Sequence, residues 1–269
     1  MKKCKILILL FCFTTLIFTG CKNEPQYIGI KRESISYDEK IFPVEQPPVI
    51  EIVGDTSNIE IYNWDEKNVK FEMLKKLKRV YNKEEQLDAE YKKYKISAEQ
   101  EKNEILFKYK YEDDKSNALD QSLDLKVYIP KKVKFIKIKL DLGRGIIHDD
   151  INCDITTELN MANMEIKRFK GVLDFKGDMS NIKISNGILY SGSKVSVNMG
   201  NIHLKFESQE GGEYEFKTKI GNIDLAMPES SKINLDSTGY VQTNELKNGE
   251  YPTKIIVETE MGRICLNKY

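Results

Sequence analysis

The feature that most constrains this chain is a six-residue phrase that recurs about every twenty residues. "MSNIKI" begins at residue 179, "MGNIHL" at 199 and "IGNIDL" at 220. An earlier copy, "MANMEI", begins at 161, and weaker copies, "RGIIHD" and "MGRICL", begin at 144 and 261. A near-constant period of this length is typical of architectures in which one structural unit is stacked on the next.

Within each copy, two apolar residues flank one polar residue. Side chains alternate along a strand, so both apolar residues point to the same side. We therefore expect Ile182, Ile202 and Ile223 to form one interior row. The residues between the paired apolar positions, such as Lys183 and His203, should face water.

A Gly-Asn or Ser-Asn pair precedes the apolar residues in several copies and indicates a corner of the backbone. Gly and Asn tolerate the left-handed conformation that tight turns require. Stacked copies would also bring the asparagine amides close enough to hydrogen-bond along the stack. The proposed repeat corners, spaced by 18, 20 and 21 residues, are Asn163, Asn181, Asn201 and Asn222.

These observations predict an all-β chain in which residues 141–269 form a β-solenoid, each period being one coil of two or three short strands. From Asn222 to Arg263 the spacing is 41 residues, which leaves room for two coils. An antiparallel sandwich with similar strands remains the alternative, because turns every 8–12 residues suit it too.

A strand-rich unit with one short helix is expected over residues 49–140, before the repeats. "PVIEIVGDTSNIEIYNW" and "LDLKVYIP" alternate apolar and polar residues, as half-buried strands do. Between them, Leu87, Tyr91 and Tyr94 are spaced by four and three residues, which favours a helix over about 83–95.

Residues 1–20 have the pattern of a bacterial lipoprotein signal peptide. A basic start is followed by an apolar run, Ile6 to Phe18, which is too short for a comfortable membrane span. Small residues then precede Cys21, which would be lipidated and anchor the chain to the extracytoplasmic face of the cell membrane. An ordinary secretory signal with a chance cysteine is the alternative.

Residues 21–48 would form the lipidated N-terminus and a flexible tether. They contain few apolar groups and four prolines, at positions 25, 43, 47 and 48, and such composition favours extended, unpacked chain. An irregular segment packed on the folded domain is the other possibility.

Two cysteines, Cys153 and Cys265, follow the lipidation site in the mature chain. They are 112 residues apart, which corresponds to five or six coils. At about 4.8 Å per coil, the axial separation is roughly 25 Å. A disulfide needs α-carbons within about 7 Å, so both thiols are expected to be free.

Charge and motifs argue against several functions. Lys and Arg number 42, as do Asp and Glu, so there is no basic footprint for nucleic acid. The two histidines, His148 and His203, lie about three coils apart, too far to share a metal ion. No Gly-rich phosphate loop occurs, and Ser180 or Ser196 near His203 does not make a credible triad.

Two further features could be functional sites, but we expect both to be structural. A group of carboxylates could serve polysaccharide cleavage, although such a group more often forms a solvated corner. Trp64 beside Asp65 could be a sugar platform, although a lone Trp at a strand end is more often packing. The carboxylates are Asp141, Asp149, Asp150 and Asp154.

Three features resemble the bacterial "putative adhesin" family of envelope proteins. They are "IEIYNWDEKNV" near the start, "VYIPKK" at 127–132, and the repeated copies, including "SNGILYSG" at 185–192. The resemblance implies a right-handed β-helix-like fold at the cell surface and no catalytic residues. We also expect no metal and no cofactor.

We therefore expect a lipid-anchored, non-catalytic module that binds an envelope protein or cell-wall polymer, in an adhesin-like or envelope-sensing role. The alternative is a carbohydrate-active enzyme. Carboxylates and aromatics gathered in one groove would favour the enzyme, whereas an Asn-lined polar face would favour the binding module.

Overall fold

Apolar and polar residues alternate along most of the chain, and this alternation produces strands. From Gln121 to Pro130, for example, every second residue is buried. The structure, a computed structural model, describes residues 32–79, 84–112 and 121–269. The predicted signal peptide, Cys21 and residues 22–31 of the predicted tether lie outside these ranges.

The described residues contain 17 strands and one helix, α1 (Glu84–Tyr91). The strands before the repeats are β1 (Arg32–Pro43), β2 (Val49–Trp64), β3 (Asn68–Arg79), β4 (Tyr94–Glu101), β5 (Glu104–Tyr111), β6 (Gln121–Pro130) and β7 (Phe135–Asn152). Those that follow are β8 (Asp154–Gly171), β9 (Leu173–Met179), β10 (Ile182–Leu189), β11 (Lys194–Met199), β12 (Ile202–Ser208), β13 (Glu213–Ile220), β14 (Ile223–Met227), β15 (Lys232–Asn244), β16 (Lys247–Asn248) and β17 (Lys254–Lys268).

Eight strands form a closed circuit of parallel pairings. From β8 the circuit runs through β9, β11 and β13 to β17. It returns through β14, β12 and β10 to β8. The circuit closes because β8 and β17 are 18 and 15 residues long, so each pairs with one strand of the circuit through its first half and with another through its second half. The all-β fold is a closed eight-stranded parallel β-barrel with additional strands outside it.

The predicted β-solenoid over residues 141–269 is therefore wrong, and so is the right-handed β-helix-like fold that the resemblance implied. The prediction divided each period into short, separate strands. In the structure β8 and β17 continue through the corner and join the two sides of the circuit. The repeat spacing indicates only which residues are neighbours in adjacent strands. It does not show which strands complete a closed sheet.

The predicted interior row is confirmed. Ile182 pairs with Ile202, and Ile202 pairs with Ile223, in register on parallel strands. All three side chains are fully buried. Lys183, between two core positions of β10, is exposed. The inside–outside assignment within the repeated phrase therefore holds.

Strands β1 to β7 precede the barrel, whereas β15 and β16 lie outside it later in the chain. β1, β3 and β6 pair antiparallel in that order, as do β4 and β5. β2 runs parallel to β5, β6 and β7, and β7 runs parallel to β8. The predicted helix over 83–95 is present as α1 but ends earlier, because Tyr94 begins β4 and is buried.

Residues 32–43 differ from the prediction of a tether. They form β1, which pairs with β3 along its whole length. The ring of Phe42 packs edge-on against that of Phe71, with centroids 6.0 Å apart. The flexible tether predicted for residues 21–48 therefore does not extend over β1. Pro43, Pro47 and Pro48 lie at or beyond the end of this strand rather than inside it.

Candidate functional site

The four predicted corner asparagines lie in one row across the barrel. Asn163 Oδ1 accepts hydrogen bonds from the backbone N–H and the Nδ2 of Asn181, at 3.0 and 2.8 Å. Asn181 Oδ1 accepts the same two bonds from Asn201, at 2.8 and 3.2 Å. Asn201 Oδ1 accepts from Asn222 N–H at 2.9 Å, and Asn222 Oδ1 from Arg263 N–H at 3.2 Å. These side-chain oxygens satisfy backbone donors of the next strand, which is a structural role.

The acidic group suggested by sequence does not converge on one point. The Asp149 carboxylate accepts the Asn63 N–H at 2.9 Å, and Asp154 accepts the Val172 N–H at 2.9 Å. Asp150 is paired with the Arg168 guanidinium. These three carboxylates are engaged with neighbouring backbone or side chains. Asp141 differs from them, because it lines a groove.

The histidines are held by separate partners. The His148 ring stacks on that of Tyr62, with centroids 4.5 Å apart. His203 Nδ1 lies 2.9 Å from the Asp224 carboxylate. Within the described part of the chain, no group of three or more His, Cys, Asp or Glu side chains is arranged to hold a metal ion.

Trp64 lines a cavity of about 250 Å³ beside Pro47 and Pro130. Its indole N–H donates to the Asn68 carbonyl at 2.9 Å, and Lys70 Nζ lies 5.2 Å from the ring centroid. The ring is thus fixed by local contacts. It does not lie in the same groove as Asp141.

A larger feature, which we call the cross-strand groove, has a volume of about 560 Å³. It crosses β2, β7, β8, β9 and β11, five strands that neighbour one another in this order. Its walls consist of residues 53–55, 139–141, 158–160 and 176–178, together with Ser196 and Asn198.

Two rows of polar side chains follow the groove. The first row consists of successive register partners on neighbouring strands: Lys139, Glu158, Lys176 and Ser196. Lys139 Nζ lies 2.7 Å from the Glu158 carboxylate, and its hydrogen bond lowers the pKa of that carboxyl. The second row, two residues further along each strand, is Asp141, Asn160, Asp178 and Asn198.

Carboxylates outnumber lysines in the groove. The lining includes four carboxylates and two lysines: Asp55, Asp141, Glu158 and Asp178, and Lys139 and Lys176. Burial raises the pKa of Asp55, the hydrogen bond from the Tyr111 N–H opposes this shift, and the charge of Asp141 adds to it. Asp55 and Asp141 are neighbours, because Gly54 pairs with Leu140 and Thr56 pairs with Leu142.

Sequence reasoning identified Asp141 but missed the rest of the groove. The missed signal lies immediately before the apolar residues Leu142, Met161, Met179 and Met199. Aligning the copies places Asp141, Asn160, Asp178 and Asn198 at one equivalent position, each followed by Leu or Met. A column of Asp and Asn at an exposed strand position would have indicated a polar row.

Both predicted free thiols are free in the structure. Cys153 lies between β7 and β8, Cys265 lies in β17, and both are buried. Burial raises the pKa of the Cys153 thiol to about 12, which suppresses its thiolate. Neither cysteine lines the cross-strand groove.

No family model and no curated protein matches this chain. No helix in residues 32–79, 84–112 or 121–269 is long and apolar enough to cross a membrane.

Several solved structures are similar over most of their length. One, described as a putative cell adhesion protein from Clostridium sporogenes, is 16% identical, with 88% of this chain and 100% of that chain covered and a TM-score of 0.35. A putative adhesin from Bacteroides fragilis is 13% identical, with 86% and 97% covered and a TM-score of 0.39. A putative lipid binding protein from Parabacteroides distasonis is 8% identical, with 85% and 96% covered and a TM-score of 0.34.

Proteins described as putative adhesins, the family that the sequence resembles, are among these similar structures. At these identities and TM-scores the likeness carries no argument about activity. Function has to be argued from the surface of this chain.

Proposed function

We propose that this chain is a non-catalytic binding module that holds an extended glycan along the cross-strand groove. The observation that carries the proposal is the periodicity of the groove. Neighbouring strands lie about 4.8 Å apart and present carboxylate, amide and ammonium groups in two parallel rows. A ligand that is itself extended and repetitive can use the same kind of contact at each strand.

The character of the groove favours a glycan over a compact ligand. Small-molecule sites are mostly concave and apolar. This groove is open, and nine of its fourteen lining residues are polar or charged, which suits a chain rich in hydroxyl and amino groups. Because four carboxylates face two lysines, the proposed ligand is a neutral or amine-bearing cell-wall glycan rather than an anionic polymer.

The first test measures binding to a soluble glucosamine polymer, with a polyglycerol phosphate as the anionic comparison. The wild-type chain should bind the former and not the latter. Asp178→Lys places a lysine in the groove and should weaken binding about tenfold or more, because a hydrogen bond to a charged group is worth about 1.5–3 kcal/mol.

Asp236→Lys is the matched control, since Asp236 is exposed on β15, outside the groove, and the charge change is identical. It should bind like the wild type. Equal weakening by both substitutions would show that only net charge matters and would exclude the groove as the site.

We also propose that Cys21 carries a lipid that anchors the module to the extracytoplasmic face of the cell membrane. A basic start, a short apolar run and small residues before Cys21 support this. Two acyl chains on one cysteine are enough for stable anchoring. Cys21→Ser should abolish labelling by a fatty-acid analogue, whereas Cys153→Ser should not; labelling of Cys21→Ser at the wild-type level would contradict the proposal.

A glycan-cleaving enzyme is the second candidate, because Asp55 has a raised pKa and lies beside Asp141 in the groove. Pairs of carboxyl groups with separated pKa values perform acid–base catalysis in glycosidases. The binding proposal expects no new reducing ends when the glucosamine polymer is incubated with the chain. Release of reducing ends that disappears in Asp141→Asn would favour the enzyme.

A further inference from the structure

The first apolar residue of the repeated phrase does not enter the core. In the copies at 161, 179, 199, 220 and 261, it lies exposed at the corner of the strand. We call this line of side chains the corner row; its members are Met161, Met179, Met199, Ile220 and Met261, between 43% and 65% exposed.

Methionine is concentrated in this row. The chain has eight methionines, and Met1 starts it. Met73, Met164 and Met227 are buried in the core, and the remaining four all lie in the corner row. The core positions one and three residues after the corner asparagine are mostly isoleucine or leucine. Ile220 shows that isoleucine is also accepted in this row. A need for an apolar side chain therefore does not explain why the other four members are methionine.

Three of the four methionines lie on consecutive strands. Met179 and Met199 are register partners on β9 and β11. Met161 is the neighbour of Met179, because Leu159 pairs with Gly177 and Asn163 bonds to Asn181 at the same offset of 18 residues. Met261 is separated from this group by Ile220, which pairs with both Met199 and Met261.

The spacing allows the three sulfur atoms to meet. Register partners on adjacent strands have α-carbons about 4.8 Å apart. Methionine has three rotatable bonds and is unbranched, so the outer two side chains can lean toward the central one. A single ion above Met179 is then within reach of all three thioethers.

We propose that Met161, Met179 and Met199 form a binding site for a soft monovalent cation, Cu(I) or its analogue Ag(I). Thioether sulfur is a soft, neutral ligand, and soft ligands select Cu(I) over hard cations such as Mg²⁺ and Ca²⁺. The site is independent of the proposed glycan binding.

The test follows methionine methyl groups by NMR in the full chain, with carbon-13 in each methyl, while Ag(I) is added beyond the number of cysteines. Thiols also bind Ag(I), so the site-resolved methyl signals are the readout rather than total binding. The methyls of Met161, Met179 and Met199 should shift together and saturate with one ion. The lone thioether of Met261, similarly exposed, should not respond over that range.

Met179→Leu keeps the apolar surface and removes the central sulfur. It should abolish the response of Met161 and Met199. Met261→Leu is the matched control and should leave the three-methyl response unchanged, and the buried methyls of Met73, Met164 and Met227 report that both variants remain folded. Unshifted methyls, a response of Met261 at the same Ag(I) concentration, or a retained response in Met179→Leu would each overturn the proposal.

Discussion

Neighbouring residues of the repeated phrase face opposite environments. In β12, Ile202 is fully buried and in register with Ile182 and Ile223, while His203 points outward and contacts Asp224. Burying an aliphatic side chain of this size contributes about 1.5–3 kcal/mol. A one-residue displacement would exchange the two faces, so the alternation specifies the pairing of each strand.

Ile202→Asp should therefore unfold or severely destabilise the domain. It would place an unpaired carboxylate among apolar side chains, at a cost on the order of 4 kcal/mol or more. Lys183→Asp, in the exposed position of the neighbouring strand, should cost less than about 0.5 kcal/mol. Thermal unfolding of both variants checks this; similar midpoints would mean that the inside–outside assignment is wrong.

At the scale of the element, the corners let the strands stack closely. Gly200, Gly221 and Gly262 all have positive φ angles. A Cβ at Gly221 would lie 1.9 Å from the Gly200 carbonyl oxygen, and one at Gly262 would lie 1.9 Å from that of Gly221. No side chain fits between these backbones, so glycine at these corners is needed for close approach as well as for its φ angle.

Gly221→Ala should destabilise the domain by about 3 kcal/mol or more, because the backbone must shift to relieve the clash. Gly192→Ala is the control: its φ is +90°, but a Cβ there meets nothing within 4 Å. That variant carries only the backbone strain, about 1–2 kcal/mol. Chemical denaturation of both variants measures the difference. A cost for Gly221→Ala no greater than for Gly192→Ala would show that the corner can relax.

At the scale of the whole molecule, the closed circuit keeps the two cysteines, Cys153 and Cys265, on strands that are not neighbours. β8 and β17 lie four pairings apart in either direction around the circuit. Cys153 immediately precedes β8, and Cys265 lies in β17. Both thiols are buried, so their reactivity depends on the integrity of the barrel.

Alkylation without a reducing agent should modify both Cys153 and Cys265 once the chain is denatured. In the native protein, Cys153 should react slowly, because it is buried and its pKa is raised to about 12. Mass spectrometry of the peptides measures both outcomes. A Cys153–Cys265 disulfide in the denatured, non-reduced sample would contradict this arrangement of the strands.

The local pattern by itself determined the strands, the short helix and the side of the sheet that each phrase residue faces. Alternation with a period of two decides which side chains are buried, and the repeat spacing aligns Ile182, Ile202 and Ile223. The tertiary structure alone decided that the strands close into a barrel and that β1 joins the sheet. It also decided that Asp55 lies beside Asp141, 86 residues later. Such contacts depend on long-range pairing, because hydrogen bonds between strands join residues whose distance along the chain no local pattern records.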